Sequence, residues 1–338
     1  MSILVTGGCG YLGSHTCLAL IEAGYEVVAV DNLCNSSRES LKRVAELTGQ
    51  TFKLYECDVR NGMQLMNVIE ENEVEAVIHF AALKSVPESF EKPLEYYENN
   101  VGGTLTLLRA MALKKVPYLV FSSSATVYGE QETQPVHECA ALRPSSPYGK
   151  TKVACEQMIE AVADANPEFS AVILRYFNPV GAHASGRIGE SPQGEPSNLL
   201  PRLTGAAAGT LPPLVVAGDD FPTPDGTGLR DYVHVCDIAR GHVAALEAMA
   251  RREGGVLTCN LGAGRPISVL ELIEAFENAT GVSVPHEVGP RRAGDLAVCW
   301  ADASRALAEL DWKPIHTIED ACRDAWSWQS KNPRGYGE

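Results

Sequence analysis

The feature that most constrains the fold lies at the start of the chain, where an apolar strand, a glycine-rich turn and a helix follow one another. Residues Ser2–Thr6 are predicted to form the strand, and the turn Gly7-Gly-Cys-Gly-Tyr-Leu-Gly13 leads into the helix. Gly7, Gly10 and Gly13 let the turn close, let backbone N–H groups approach a pyrophosphate, and let the helix pack on the strand. This unit is typical of dinucleotide-binding proteins.

A carboxylate follows at the end of the second predicted strand, Glu26–Val30. Asp31 stands about twenty residues beyond the glycines, where an acidic side chain meets the adenosine ribose. It would accept hydrogen bonds from a free 2′-hydroxyl and repel a 2′-phosphate, so NAD is expected rather than NADP. Arg38 is close enough in sequence to weaken that preference.

Strands and helices continue to alternate along the first half of the chain. Thr51–Tyr55 and Ala76–Phe80 are predicted strands, and Glu95–Leu113 is a predicted helix. This alternation predicts an α/β fold with a doubly wound parallel sheet. Ligands gather at the carboxyl ends of such strands, which makes the residues just beyond them candidate cofactor neighbours. These are Asp58, Phe80, Ala81, Ala82 and Lys84.

A domain boundary is expected after the strand Ser170–Tyr176, because a stretch rich in Gly and Pro begins there. We predict one domain over residues 1–177, which contains the dinucleotide-binding turn, and a second domain over residues 178–338. A segment near 232–260 is expected to pack back on the first domain.

Composition excludes several classes of function. The 338 residues carry a formal charge of −15, which opposes binding to nucleic acids or to anionic membranes. No stretch approaches the ~20 apolar residues that span a bilayer, and the N-terminus lacks the basic start of a signal peptide. We therefore expect a cytoplasmic protein. The ten cysteines contain no Cys-x-x-Cys pair, so neither a metal site nor a disulfide framework is predicted.

The strongest candidate for chemistry is Tyr148-Gly-Lys-Thr-Lys152, because residues four apart on a helix share one face. A phenol with a pKa of ~10 is a poor base at neutral pH, but an adjacent ammonium favours the phenolate. Lys152 is therefore expected to lower the pKa of Tyr148. Ser124 follows a short buried strand and could orient the reacting oxygen. The same spacing also occurs by chance in helices that simply pack a tyrosine under a solvated lysine, but the dinucleotide turn favours the catalytic interpretation.

Seven segments, in order along the whole chain, are similar to the signatures of the extended short-chain dehydrogenase/reductase family. Within that family they most resemble the enzymes that epimerise UDP-hexoses at C4. The segments are Gly7–Gly13, Asp31–Ser36, His79–Lys84, Ser122–Gly129, Tyr148–Lys152, Arg175–His183 and Arg230–Val235.

The resemblance implies NAD as the cofactor, a UDP-hexose as the substrate and a homodimer as the assembly. It also implies that residues 1–177 form an NAD-binding Rossmann domain and that residues 178–338 form a smaller α/β substrate domain. Tyr148 would take the proton of the sugar 4′-hydroxyl, Lys152 would hold the nicotinamide ribose, and Ser124 would hydrogen-bond the reacting oxygen. A transient 4-keto sugar would turn over in the pocket and be reduced on its other face. UDP-galactose and UDP-glucose would thereby interconvert.

The resemblance also assigns the remaining site residues. The cofactor would contact Gly7, Gly10, Tyr11, Leu12, Gly13, Asp31, Asn32, Leu33, Cys34, Asn35, Ser36, Asp58, Val59, Phe80, Ala81, Ala82, Lys84, Asn99, Ser122, Tyr148, Lys152, Tyr176 and Phe177. The substrate would contact Lys84, Ser124, Thr126, Tyr148, Asn178, Asn198, Leu199, Val215, Ala217, Arg230, Arg292, Asp295 and Cys299. Arginines suit the pyrophosphate because a guanidinium meets two oxygens at once. Ala217 departs from the family, which often has Phe against the uracil.

Cys299 occupies a position that lines the hexose pocket in the family, where some members have Tyr. A Tyr ring fills the space that an N-acetyl group at C2 would need, whereas Cys leaves room for it. The resemblance therefore implies that UDP-N-acetylglucosamine and UDP-N-acetylgalactosamine are also substrates. The alternative is that Cys299 is only a small buried residue.

Other functions remain as alternatives. A sugar-nucleotide 4,6-dehydratase usually carries an Asp-Glu pair after its catalytic hydroxyl, but Ala125-Thr126 stand there in this chain. Another extended short-chain dehydrogenase is a second possibility. A non-catalytic NAD-binding regulatory protein would be expected to lack Ser124, Tyr148 or Lys152, and all three are present.

Overall fold

The protein folds around a parallel β-sheet. Its computed structural model describes residues 1–292 and 295–337. The strands of this part of the chain are β1 (Ser2–Thr6), β2 (Glu26–Asp31), β3 (Lys53–Glu56), β4 (Ala76–His79), β5 (Tyr118–Ser124), β6 (Ser170–Tyr176), β7 (Asn178–Val180), β8 (Leu214–Ala217), β9 (Leu229–His234), β10 (Gly255–Leu261), β11 (Pro266–Ser268), β12 (His286–Gly289) and β13 (Val298–Cys299).

The large sheet contains seven strands in the order β10-β6-β5-β4-β1-β2-β3. Every neighbouring pair in it is parallel. The strand order reverses between β1 and β4, and ligands of such sheets bind in the crevice that this reversal opens at the carboxyl ends of the strands. The predicted α/β class with a doubly wound parallel sheet is confirmed.

Helices cover both faces of the large sheet. The α-helices of the described residues are α1 (Tyr11–Glu22), α2 (Arg38–Thr48), α3 (Gly62–Glu71), α4 (Val86–Glu91), α5 (Pro93–Tyr96), α6 (Gly103–Lys114), α7 (Pro147–Ala165), α8 (Leu199–Ala207), α9 (Val235–Met249), α10 (Val269–Thr280), α11 (Ser304–Leu310) and α12 (Ile318–Lys331). One apolar layer joins α1, α2, α9 and α11 to the sheet, and the other joins α3, α6 and α7 to it. Within the described residues, no helix has the length and apolar character needed to cross a membrane.

Residues late in the chain return to the large sheet. Strand β10 pairs in parallel with β6 from Gly255 opposite Ser170 to Leu261 opposite Tyr176. Helix α9, which precedes β10, packs against α1. The edge of the sheet is therefore formed by a strand that lies about eighty residues beyond its partner in sequence. The division of the chain at residue 177 stays a prediction.

A second apolar core lies outside the large sheet. Strand β9 pairs with β11 in antiparallel fashion and with β7 and β13 in parallel fashion, while β8 pairs with β12. The core contains Leu203, Leu272 and Phe276, all of which have 0% exposure, from α8 and α10. Helix α12 contributes Ala321 and Cys322 to the same core.

The predicted helix Glu95–Leu113 contains an irregularity that its apolar stripe does not indicate. A π-helical turn, Tyr97–Gly102, separates α5 from α6. The side chain of Asn100 within this turn accepts a hydrogen bond from the backbone N–H of Leu83 (2.8 Å) and donates one to the Leu83 carbonyl (3.0 Å). Such turns change the direction in which neighbouring side chains point, and they often occur at functional sites. Here the turn brings Asn99 to the wall of the cavity described below.

Candidate active site

A cavity of about 890 Å³ opens at the carboxyl ends of the central strands and extends to the small sheet around β9. It is lined by nearly all of the predicted site residues. Those that line it are Gly7, Gly10, Tyr11, Leu12, Gly13, Asp31, Asn32, Cys34, Asn35, Ser36, Val59, Phe80, Ala81, Ala82, Lys84, Asn99, Ser122, Ser124, Thr126, Tyr148, Lys152, Tyr176, Phe177, Asn178, Asn198, Leu199, Val215, Ala217, Arg230, Arg292 and Asp295.

Three predicted residues lie outside the lining. Leu33 has a left-handed backbone (φ +58°), and its N–H donates to Asp31. Asp58 accepts a hydrogen bond from the Asn32 side-chain amide and pairs with Arg60. Cys299 is half-buried and packs beside the apolar cluster that contains Phe177. Among the described residues, no group of three or more His, Cys, Asp or Glu has the arrangement needed to hold a metal ion.

The glycine-rich turn is too tight to accept side chains. A Cβ on Gly13 would lie 2.1 Å from the carbonyl oxygen of Gly7, and a Cβ on Gly7 would lie 2.8 Å from the backbone nitrogen of Ala81. Helix α1 begins after Gly10, which has no side chain that could cover the N–H groups of the first turn. These groups and the positive end of the helix dipole suit a phosphate. The turn therefore fits a dinucleotide pyrophosphate.

Asp31 is fixed in place at the end of β2. One carboxylate oxygen accepts the N–H of Cys9 at 2.9 Å, and the other accepts the N–H of Leu33 and the hydroxyl of Ser36, both at 2.8 Å. Arg38, which could have attracted a 2′-phosphate, is paired instead with Glu56. The local charges therefore favour a free ribose over a phosphorylated one.

Tyr148 and Lys152 project from the first two turns of α7, as the sequence predicts. The helix begins at Pro147, and the Ser146 hydroxyl caps it by accepting the N–H of Gly149 at 3.1 Å. The Lys152 ammonium donates to the carbonyl of Ser122 at 2.8 Å and lies 5.9 Å from the centre of the Tyr148 ring. Both side chains are buried, with 9% exposure for Tyr148 and 3% for Lys152. The helix cap thus sets the start of α7 and, with it, the positions of both groups.

Ser124 completes this arrangement from the end of β5. It lies opposite Tyr176 in the pairing of β5 with β6. Its hydroxyl oxygen accepts hydrogen bonds from the Thr126 N–H at 3.2 Å and from the Thr126 hydroxyl at 3.0 Å. Because both of these bonds are accepted by Ser124, its own proton remains available to a neighbouring oxygen.

The effect of Lys152 on Tyr148 differs from the sequence expectation. Burial raises the pKa of Tyr148 to about 12, and hydrogen bonding with Ser124 opposes this rise only in part. Burial also lowers the pKa of Lys152 to about 8. The predicted lowering of the phenol pKa is therefore wrong for the protein chain alone, because removal of the phenol from water is the largest effect and raises its pKa.

A buried ion pair behind these residues was missed by the sequence reasoning. Glu156, one turn beyond Lys152 on α7, accepts two hydrogen bonds from the Arg175 guanidinium at 3.0 and 2.6 Å and one from the Ser123 hydroxyl. Arg175 also donates to the Tyr128 phenol at 3.1 Å. The pair ties α7 to β5 and β6. The sequence contains one indication of this ion pair, which is the arginine inside the apolar run Ser170–Tyr176. A charged side chain in a buried strand requires a partner of opposite charge.

Two further predicted cations, Arg230 and Lys84, line the cavity and lie near carboxylates. Arg230 lies on β9, and its guanidinium is 3.7 Å from the carboxylate of Asp295. Lys84 follows β4 and pairs at 3.0 Å with Glu190, which also accepts a hydrogen bond from Asn198 at 2.7 Å. Glu190 and the residues around it were not predicted, because a loop with no periodic pattern gives no local signal.

The sheet, its ligand crevice and the cavity-lining Tyr148 and Lys152 define a Rossmann-type dinucleotide-dependent enzyme. The family model described as "NAD dependent epimerase/dehydratase family" matches residues 3–262. The chain belongs to this family.

Relatives match over almost the whole chain. The UDP-glucose 4-epimerase of Bacillus subtilis is 51% identical over 336 residues, which cover 99% of each chain. The crystal structure of a UDP-glucose 4-epimerase from Stenotrophomonas with bound NAD and formylated UDP-arabinopyranose is 50% identical, with a TM-score of 0.97 and 99% coverage of each chain. The Bifidobacterium longum UDP-glucose 4-epimerase in complex with NAD+ and UDP is 48% identical, with a TM-score of 0.95 and coverage of 99% of this chain and 100% of that one.

Proposed function

We propose that the protein interconverts UDP-galactose and UDP-glucose by NAD-dependent epimerisation at C4. The observation that carries the proposal is the meeting of Ser124, Tyr148 and Lys152 in one cavity with the glycine-rich turn and Asp31. The full-length similarity to UDP-glucose 4-epimerases supports the same reaction. In the proposed division, residues 1–177 hold NAD and residues 178–338 close over the UDP-hexose.

Each catalytic side chain has a separate task in the proposed reaction. Tyr148 accepts the proton of the sugar 4′-hydroxyl and later returns it, while Ser124 donates a hydrogen bond to the same oxygen. Lys152 holds a positive charge beside the phenol and is anchored by the Ser122 carbonyl. When bound, NAD would accept the hydride from C4 and supply it again to the other face, and its positively charged nicotinamide would favour the ionised form of Tyr148. This attraction opposes the effect of burial on the pKa of Tyr148.

The nucleotide part of the substrate is assigned to the far end of the cavity. Arg230 and Arg292 would bind the pyrophosphate, because a guanidinium meets two phosphate oxygens at once. Asn178 and Asp295 are proposed to help orient the substrate, and both line the same cavity. The remaining substrate contacts are proposed for Lys84, Thr126, Asn198, Leu199, Val215 and Ala217.

The proposed reaction is tested by supplying UDP-galactose to the purified protein without NAD. We expect conversion to UDP-glucose, because a redox cycle that closes on itself consumes no cofactor. We also expect NAD to copurify and to appear in the supernatant of denatured protein at close to one equivalent per chain. Separation of the two sugar nucleotides and quantification of the released NAD provide the measurements. Full dependence on added NAD with none bound would count against a retained cofactor, and no conversion under either condition would refute the reaction.

Substrate range is tested at Cys299, which lies outside the cavity lining but pairs with the lining residue Arg230 between β13 and β9. We propose that the wild type also epimerises UDP-N-acetylglucosamine and UDP-N-acetylgalactosamine. Cys299→Tyr is expected to lower their turnover about ten-fold or more relative to the plain hexoses, since overfilling a packed site costs ~1–3 kcal/mol. The comparison uses kcat/KM for both substrate pairs, with Cys299→Ser as the control of matched size. The proposal that Cys299 leaves room for an N-acetyl group would be refuted if the wild type does not turn over the N-acetylated substrates. It would also be refuted if Cys299→Tyr leaves that turnover unchanged.

We propose a homodimer formed by the helices around Glu95–Leu113 and Pro147–Ala165. Large apolar side chains are exposed in and just before the first of these segments, including Leu94 at 82%, Phe90 at 60% and Tyr97 at 40%. Contiguous exposed apolar surface is typical of interaction sites.

The assembly is tested by measuring the mass of the protein in solution at micromolar concentration. We expect twice the chain mass, and we expect Leu94→Glu to shift the protein towards monomer because it places a charge in the proposed interface. Ile315→Glu is the control, because Ile315 is also exposed but lies beyond α11. A wild-type mass equal to that of one chain would refute the dimer.

We also propose a cytoplasmic location. All ten cysteines are free thiols in the structure, and several are buried, including Cys17, Cys155 and Cys259. Unpaired thiols are typical of a reducing compartment.

A further inference from the structure

The last residues of the chain reach the wall of the cavity. Tyr336 lines the cavity although it follows the final helix, α12. Its phenol oxygen accepts the N–H of Gly189 at 3.1 Å and donates to the Gly189 carbonyl at 3.3 Å. Its own backbone N–H donates to the Ser191 hydroxyl at 3.2 Å. Tyr336 therefore holds the start of the segment Gly189–Gln193, which itself lines the cavity.

The Tyr336 ring is fixed from the other side. It lies 4.8 Å from the Trp328 ring of α12, and the Arg43 guanidinium of α2 lies 5.2 Å from its centre. Arg43 is held in turn by Glu39 at 2.9 Å and by Asn332 at 2.6 Å. Cation–π contacts of this kind add to the apolar packing. The C-terminal residues are thus attached to a helix that packs against the large sheet.

The far end of the segment Gly189–Gln193 is attached to the loop that follows β2. The Gln193 backbone N–H donates to the Asn35 side chain at 3.1 Å, and the Gln193 side-chain amide donates to the Ser36 carbonyl at 3.2 Å. Between the two ends, Glu190 pairs with Lys84. The segment therefore runs from Tyr336 to the loop that carries the proposed cofactor contacts Asn35 and Ser36.

Two glycines make the close approach possible. A Cβ on Gly189 would lie 2.5 Å from the Trp328 ring. Gly335 has a left-handed backbone (φ +63°), and a Cβ there would lie 2.1 Å from the Ser191 hydroxyl. Both positions therefore require glycine, so the contact between the tail and the segment depends on two separate residues without side chains.

We propose that Tyr336 is a cofactor-retaining residue, which clamps the segment Gly189–Gln193 over the bound dinucleotide and slows its release. The proposal rests on the proposed function, because it takes NAD as the molecule that lies between the glycine-rich turn and Asp31. The segment lines the same cavity and is bonded to Ser36, which also contacts Asp31. Release of the dinucleotide requires local opening of this segment, and opening breaks the bonds at both of its ends.

The experiment measures the exchange of bound NAD for labelled NAD in the purified holoenzyme. Tyr336→Ala is expected to exchange at least ten-fold faster than wild type, because it removes both the phenol bonds and the ring. Tyr336→Phe keeps the ring but loses the phenol bonds, so its exchange rate should lie between those of the wild type and Tyr336→Ala. Gln193→Ala loosens the other end and should also exchange faster. Arg334→Ala is the matched control in the same tail, because Arg334 is exposed, and it should exchange at the wild-type rate.

Exchange at the wild-type rate in both Tyr336→Ala and Gln193→Ala would overturn the clamp. If Tyr336→Ala fails to fold, the exchange rates of Tyr336→Phe and Gln193→Ala test the clamp instead. Gln193 is exposed, so its replacement does not disturb the apolar core. Faster NAD exchange in Arg334→Ala would also overturn the clamp. Any change in the C-terminal residues would then speed the release of NAD, and the effect would not be specific to Tyr336. Failure of the proposed function is recognised separately, as a wild-type protein that contains no NAD and converts no UDP-galactose.

Discussion

Replacing Tyr148 by Phe is expected to lower the rate of epimerisation by about 10²–10⁴-fold, the range typical of a lost general acid–base group. The phenol oxygen is the only atom removed, so the buried ring still fills its site on α7. NAD should remain bound, because the glycine-rich turn and Asp31 are unchanged. The measurements are kcat with UDP-galactose and the amount of NAD released on denaturation.

Tyr96→Phe is the matched control for this variant. Tyr96 is also buried, and its ring meets that of Tyr148 edge to face at 6.5 Å. Its phenol lies within hydrogen-bonding distance of the Ser85 carbonyl at 2.8 Å and of the Glu88 carboxylate at 2.9 Å, and it thereby stabilises the fold. Its loss should lower stability more than kcat. A near wild-type rate in Tyr148→Phe would show that Tyr148 is not the proton acceptor in the reaction.

Replacing Lys152 by Ala is expected to reduce both the rate and the NAD content. The variant loses the charge beside Tyr148, which disfavours the phenolate, and it loses the proposed ligand of the nicotinamide ribose. It also leaves the Ser122 carbonyl without its lysine donor, at a cost of about 1–3 kcal/mol in stability. We expect kcat to fall by at least about 10²-fold and bound NAD to fall well below one equivalent.

Lys152→Met separates these effects, because it fills most of the volume of the lysine without its charge. Thermal unfolding of both variants gives the stability, and the NAD released on denaturation gives the retention. If Lys152→Met keeps full NAD while losing the rate, the ribose role is wrong and the electrostatic role stands. An unchanged rate in both variants would refute any catalytic role for Lys152.

Local signals predicted much of the fold and of the site. The strand Ser170–Tyr176 was predicted with the bounds that the structure has, because its apolar run is uninterrupted except by Arg175 and is closed by Gly and Pro. Helix α7 begins at Pro147 because proline suits a first helical turn and Ser146 caps the helix. The same cap explains why the neighbourhood of Tyr148 and Lys152 could be predicted from spacing alone.

Features that depend on contacts between distant segments could not be predicted in this way. The pKa of Tyr148 is dominated by burial, which no spacing reveals. The partner of Arg175 lies on α7, and the partner of Tyr336 lies in a loop about 150 residues earlier in the chain. The π-helical turn at Asn100 depends on its bonds to Leu83, outside its own helix. In each case the deciding interaction joins residues that local periodicity cannot relate.

The pairing of β10 with β6 has a consequence for biosynthesis. Strand β6 can pair with β5 once residue 176 has left the ribosome, but its outer edge has no partner until residues 255–261 have also emerged. An open strand edge is a site for incorrect pairing with other chains. Asn260 of β10 then bonds to the Tyr128 phenol and to the Val136 carbonyl, so the late strand also secures the region after Ser124. The large parallel sheet is therefore completed during synthesis only after residue 261 has been made.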